Sequence, residues 1–228
     1  HIECSAMSMA YLGETIDIHS GGQDLIFPHH ENEIAQSEAL TGKPFVRYWL
    51  HNGYLNINAE KMSKSLGNFI TLEQLLKKYS GDTIRLYLLM THYRQPIDFT
   101  EEGLNQVKIT AERLLNLVLI TKIYSKGENN KAELTDLDKE LLNNVEQAKN
   151  KFVEAMDEDF NTANALAVVF SFSKQVNSYL RKADNINTSV MKKVDGFFDD
   201  VRKILGIFEN MDQYANLETM SKLIELLI

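Results

Sequence analysis

Two imidazoles and two carboxylates crowd residues 27–33, FPHHENE, and the chain's one cysteine, Cys4, stands upstream in HIECSAM. A helix starting near Pro28, whose missing N–H costs nothing in a first turn, would put His29 and Glu33 on one face and rotate His30 and Glu31 away. A thiolate, an imidazole and a carboxylate make a borderline-soft donor set with an open fourth position, which suits zinc. The same spacing also describes a hydrogen bond across one helix turn with Cys4 in the core. The residues alone leave both readings open.

A second group is EKMSKSLGN at 60–68, with Lys61 and Lys64 three apart among serines. Two ammonium groups on such a loop can close over a triphosphate and neutralise charge developing on a departing pyrophosphate. A solvated lysine turn has the same composition, and no GxxxxGK run is present to make a Walker loop. A third group is IHSGGQD at 18–24. Gly21 and Gly22 let backbone approach a ligand closely and Asp24 can accept from ribose hydroxyls, or the pair marks only a tight turn.

The elements that must position these groups change character along the chain. IDIH (16–19) alternates as a short strand, SGGQD follows as a loop, and a helix runs from near Pro28 through ENEIAQSEAL. HIEC reads as the interior of a strand or the entrance of a helix, and residues 45–57 as a helix end and a strand. Beyond the lysine–serine stretch the periodicity becomes helical. Thr71 and Gln74 form a capping-box pair before LEQLLKKY, and Gly81 or Asp82 opens a helix over TIRLYLLMTHY. Thr100 opens a long one, with Leu104, Val107, Ala111, Leu114, Leu115 and Val118 at helical spacing. GENNKAE (127–133) is a linker. Leu141, Leu142, Val145, Ala148, Phe152 and Met156 then make one apolar face. FNTANALAVVFSFSKQVNSYL, VMKKVDGFFDDVRKIL and a last partial helix complete an antiparallel bundle.

Composition is that of an ordinary globular chain: 228 residues, 44% hydrophobic and 25% charged. A lone cysteine excludes an internal disulfide framework and points to a reducing, cytoplasmic compartment. No apolar run is long enough to span a bilayer and no secretory leader is visible. The formal charge of −8 divides as −6, +4 and −6 over residues 1–60, 61–126 and 127–228. Wholesale nucleic-acid wrapping is thereby disfavoured, while a local polyanion site in the middle segment is allowed.

HIECSAM, DIHSGGQDLIFPHHENEIAQSEA and EKMSKSLGN, in this order and spacing, resemble the cysteinyl-tRNA synthetases, a family of class I aminoacyl-tRNA synthetases. The resemblance continues through DTIRLYLLMTHYRQPIDFTEEGL into DEDFNTANALA, and so covers residues 1–170 well. KMSKS alone marks many class I synthetases, and FPHHENEIAQSEA is what points to cysteine. The implied fold is a partial α/β Rossmann domain followed by a mainly α-helical bundle. Residues 1–70 would be the C-terminal half of the catalytic domain with its KMSKS loop, 71–126 a stem-contact helical region, and 127–228 a tRNA-facing bundle of the DALR type. The implied activity is ATP-dependent ligation of cysteine to tRNA(Cys) through cysteinyl-adenylate, by a cytoplasmic monomer without membrane contact, with Mg-ATP as substrate.

The family holds a catalytic zinc with two cysteines, a histidine and a glutamate, and the match places three of these on Cys4, His29 and Glu33. It places the catalytic lysines on Lys61 and Lys64, the latter contacting ATP, and the adenylate-facing loop on His19, Gly21, Gly22 and Asp24. The HIGH signature, the first cysteine ligand and the small anticodon domain beyond the bundle have no counterpart here. The expectation is therefore a piece of a longer synthetase, inactive and weak in zinc by itself. A related cysteine:glucosaminyl-inositol ligase of mycothiol synthesis shares the same logic. A non-catalytic helical tRNA-binding module is a further alternative, weakened by the acidic bundle. A zinc hydrolase would leave the lysine loop without a purpose.

Overall fold

The computed structural model describes residues 1–57, 70–127 and 133–209, and 60–61 as backbone. By packing these fall into two units, His1–Phe69 with Tyr93–Phe99, and Ile70–His92 with Thr100–Ile228. Residues 210–228, with the expected last helix, and most of the linker lie outside the described residues.

In the first unit HIEC belongs to a helix, α1 (Ile2–Leu12), followed by β1 (Ile16–Gly22), α2 (Glu31–Thr41), β2 (Val46–Asn52), β3 (Leu55–Ile57), β4 (Glu60–Lys61) and β5 (Ile97–Phe99). The glycines expected in a loop instead continue β1. Its parallel register with β2 runs from Ile16↔Val46 through Gly21↔His51 to Gly22↔Asn52, so the ladder does not stop at His19. Residues 46–52, VRYWLHN, are strand and not a helix end, in keeping with their β-branched and aromatic content. Between β1 and α2 the chain makes a 3₁₀ turn (Gln23–Leu25) and a wide turn (Ile26–His30). Phe27, disfavoured from helical geometry by the proline after it, is extended at φ −134° and ψ 133°. The regular helix therefore begins at Glu31, three residues later than Pro28 predicts. Gly42, left-handed at φ 68°, ends it. β3 pairs antiparallel with β4 and parallel with β5, which brings residues 93–99 back to this unit.

The second unit is helical: α3 (Leu72–Leu76), α4 (Gly81–Leu89), α5 (Glu101–Ser125), α6 (Asp136–Asp157), α7 (Thr162–Lys182) and α8 (Thr188–Leu205). Caps set the starts. Thr71 and Gln74 exchange both bonds of the capping box, Ser80 accepts from the Thr83 N–H at 3.1 Å, and Thr100 accepts from the Gly103 N–H at 3.1 Å. The α4 helix stops at Leu89, short of the predicted Tyr93. One core joins Leu114 and Val118 of α5 to Val145, Phe152, Val169, Phe172, Val194 and Phe198.

Inside that core a polar network ties three helices together. The Tyr179 hydroxyl donates to Asp138 Oδ1 at 2.6 Å and accepts from the Asn187 N–H at 3.2 Å. Asp138 Oδ2 accepts from the Thr135 N–H and hydroxyl, at 2.9 and 2.8 Å. Burial and the bond to Asp138 push the Tyr179 phenol up to about 12. Burial pushes the Asp138 carboxyl up, but its bonds from Tyr179 and Thr135 hold it below the ordinary value. A phenol raised on folding gives stability that is complete below its ordinary pKa and is lost as pH climbs through about 12. The depressed carboxylate gives stability lost only as pH falls through its lowered value. Melting profiles should show an alkaline loss between pH 10 and 12 that is smaller in Tyr179→Phe than in the parent. Equal alkaline losses in the two proteins would contradict this assignment.

Candidate metal centre

Glu33 sits in the first turn of α2 and is 1% exposed, the most buried carboxylate among the described residues of the first unit. Its neighbours are imidazoles. His29 Nε2 lies 3.2 Å from Oε1 and His19 Nε2 lies 2.9 Å from Oε2. Among the described residues neither oxygen accepts a hydrogen bond, although each lies within ion-pair distance of an imidazole. A buried carboxylate that accepts no hydrogen bond carries a desolvation cost that a bound cation offsets.

Cys4 supplies the third donor. It lies in the first turn of α1, half-buried, beside Ser5, whose hydroxyl contacts Gln36 Oε1 at 3.0 Å and the His1 carbonyl at 3.0 Å. Gln36 is one turn along α2 from Glu33, so this bond presses the cysteine end of α1 against the carboxylate. The ligand atoms of Cys4, His29 and Glu33 all lie within 4.8 Å of one another. Those of His19, His30 and Glu33 do the same. Thiol, imidazole and a buried carboxylate at that separation fit a zinc ion by donor chemistry, and the carboxylate oxygens accept no hydrogen bond that would compete with it among the described residues.

The other predicted site residues are distributed differently. Gly21 packs against the protein itself: a Cβ there would come 2.8 Å from His30 Cε1 and 2.9 Å from Leu25 Cδ1. At Gly22 a Cβ would strike the Asp24 carboxylate, which is exposed on the 3₁₀ turn. His19 Nε2 lies against Glu33. Lys61 falls on β4, and Lys64 lies outside the described residues.

An aromatic shell around Glu33 escaped the sequence. His30, 3% exposed, places Nδ1 2.8 Å from His51 Nε2, and Trp49 stacks on His51 at an interplanar angle of 4°. Burial lowers the His30 pKa, and the imidazoles of His19, His51 and His29 lower it further against the pull of Glu33. Burial also lowers that of His51, with the Arg94 guanidinium and His19 adding to it. Both shifts favour the neutral ring. The signal was the i, i+2 alternation of His19 with Gly21 and of Trp49 with His51, which becomes a shared face only once the β1–β2 register is known.

A family model of the tRNA synthetases class I (C) catalytic domain matches residues 1–109, and one of the DALR domain matches residues 151–209. The chain is 49% identical over 228 residues to a cysteine--tRNA ligase of Thermococcus onnurineus, covering all of this chain and 48% of that protein. It is 50% identical over 211 residues to that of Geobacter metallireducens, covering 91% of this chain and 43% of the relative. The chain thus spans about half the length of the curated relatives it matches. A solved ternary complex of Agrobacterium radiobacter K84 LeuRS with tRNA and LeuAMS superposes with a TM-score of 0.69 over 82% of this chain and 25% of that one. At 19% identity this is a likeness of fold. Among the described residues no helix is long and apolar enough to cross a membrane. A catalytic-domain match, a DALR match and near-half identity along the whole chain together place it in the cysteine--tRNA ligase family of class I synthetases.

Proposed function

We propose that the protein carrying this chain activates cysteine with ATP to cysteinyl-adenylate and transfers the cysteinyl group to the terminal adenosine of its tRNA. The observation that carries this reading is the convergence of Cys4, His29 and a buried Glu33 that accepts no hydrogen bond among the described residues, in a chain whose relatives are named cysteine--tRNA ligases. Zinc held by these three residues supplies a soft partner for the substrate thiolate, which the hydroxyl of serine cannot match at neutral pH. The chain's own residues do the rest. Ser5 and Gln36 fix Cys4 against α2, and the His30–His51 pair packs beside the site. Gly21 leaves the room His30 needs. Lys61 and Lys64 are assigned to the phosphates, where their charge meets the departing pyrophosphate. The helices from Leu72 onward are assigned to the tRNA, and the compartment is the cytoplasm.

Cysteine-dependent exchange of pyrophosphate into ATP tests the first step and charging of a tRNA(Cys) transcript the second. Cysteine should be preferred over serine by about 10⁴ or more. Exchange without that preference would refute the role given to the metal. Lys64→Ala should lower the exchange rate constant by about 10²–10³ while leaving the KM for cysteine nearly unchanged. Equal loss in both parameters would contradict a transition-state role for Lys64.

A further inference from the structure

The second unit spreads its charge unevenly. Residues 127–228 sum to −6, yet α7 carries Lys174, Arg181 and Lys182 and no carboxylate. Between α7 and α6 run two adjoining hollows of about 230 and 190 Å³ that share Asn144 and Gln175. Asn144, Gln147 and Lys151 stand at i, i+3 and i+7 on α6. Gln175, Ser178 and Lys182 repeat that spacing on α7, running the other way. Seven helical residues rise about 10 Å, so the two lysines occupy opposite ends of a strip roughly 20 Å long, with the amides at its centre. Among the described residues no hydrogen bond or ion pair engages any of these side chains. All are exposed or half-exposed, above a floor of buried Leu141, Ala148 and Phe172. Glu140, at the Lys182 end, is the carboxylate of the lining.

We infer that this α6–α7 furrow is an RNA-backbone site, its terminal lysines taking phosphates and its amides taking ribose hydroxyls. A ribose 2′-hydroxyl both donates and accepts, and so does each carboxamide. Lysines neutralise phosphates and release counterions, the main source of RNA affinity. A protein partner is the poorer fit, since protein interface centres are depleted in lysine and enriched in aromatic side chains. The inference deepens the proposed function: it rests on that reading for the identity of the RNA, a tRNA, and adds where it is held.

The test compares Lys151→Ala/Lys182→Ala and Asn144→Ala/Gln175→Ala with the parent, in the protein carrying this chain. Alanine is the best helix former at such positions, so the helices should survive, and circular dichroism verifies this. Binding of a tRNA(Cys) transcript is measured across a salt series, and cysteine-dependent pyrophosphate exchange is measured without tRNA. The lysine pair should weaken tRNA binding about tenfold and flatten the slope of log K against log salt by about 2. The amide pair should weaken binding with little change in slope, and both variants should exchange pyrophosphate like the parent. Unchanged tRNA binding in both variants overturns the inference, even if the furrow then proves to take a protein. A parent that lacks cysteine-dependent exchange, yet loses tRNA binding through these substitutions, overturns the cysteine-activation reading and leaves the furrow standing.

Discussion

Replacing Glu33 with glutamine is expected to weaken zinc binding by about 100-fold or more, since even outer-shell substitutions at such sites cost 10–100-fold. The change removes one negative charge and one oxygen donor while keeping the shape of the side chain. Its effect on the metal-free protein should have the opposite sign. Glu33 is 1% exposed and its oxygens accept no hydrogen bond among the described residues, so without metal the ionised group is a desolvation cost. A neutral amide carries less of that cost, and its NH₂ can donate to His29 or His19, whose Nε2 atoms lie at 3.2 and 2.9 Å from the carboxylate oxygens. Metal-free Glu33→Gln should therefore melt at or above the parent, and the order should reverse once zinc is added. Competition with a chromophoric chelator gives the affinity and calorimetry gives the two melts. A variant less stable in both states would mean that Glu33 is a packing residue.

The second large effect concerns the helical unit. Phe172 is 1% exposed, with ring centroids 5.0 Å from Phe197 and 5.7 Å from Phe198. Phe172→Ala should cost about 3–5 kcal/mol, the transfer free energy of the ring plus the cavity it leaves. Phe160, 53% exposed on the α6–α7 turn, is the control, and its alanine variant should change stability by less than about 1 kcal/mol. Urea unfolding of both variants measures the difference. Comparable losses at the two positions would show that the aromatic cluster is not the core of this unit.

What could be read from the residues follows the range of the interactions. Caps and i, i+3, i+4 patterns are local, so Thr71 with Gln74, Thr100, and the faces through Val145, Phe152 and Val118 are recovered in the structure as predicted. The His29–Glu33 pair is also local, and the two side chains meet even though the intervening turn is wider than a regular helix. Parallel pairing is not local. Nothing near Ile16 announces that its partner is Val46, and without that register the alternation of His19 and Gly21 has no meaning. The wide turn before α2 departs from the helix start expected at Pro28 because proline, though tolerated in a first turn, also drives Phe27 out of helical geometry. The return of Ile97–Phe99 to pair with β3 was hidden for the same reason as the β1–β2 register. Glu33 carries no mark of burial in its own sequence, and its enclosure among imidazoles emerges only when β1 and α2 are brought together.

The central claim is that Cys4, His29 and Glu33 hold a zinc ion that meets the substrate through sulfur. Zinc K-edge X-ray absorption on the zinc-loaded protein carrying this chain, before and after addition of cysteine, tests it most directly. The account predicts one additional sulfur in the zinc shell at about 2.3 Å once cysteine is bound, and none with serine. A sulfur count that cysteine leaves unchanged would contradict it.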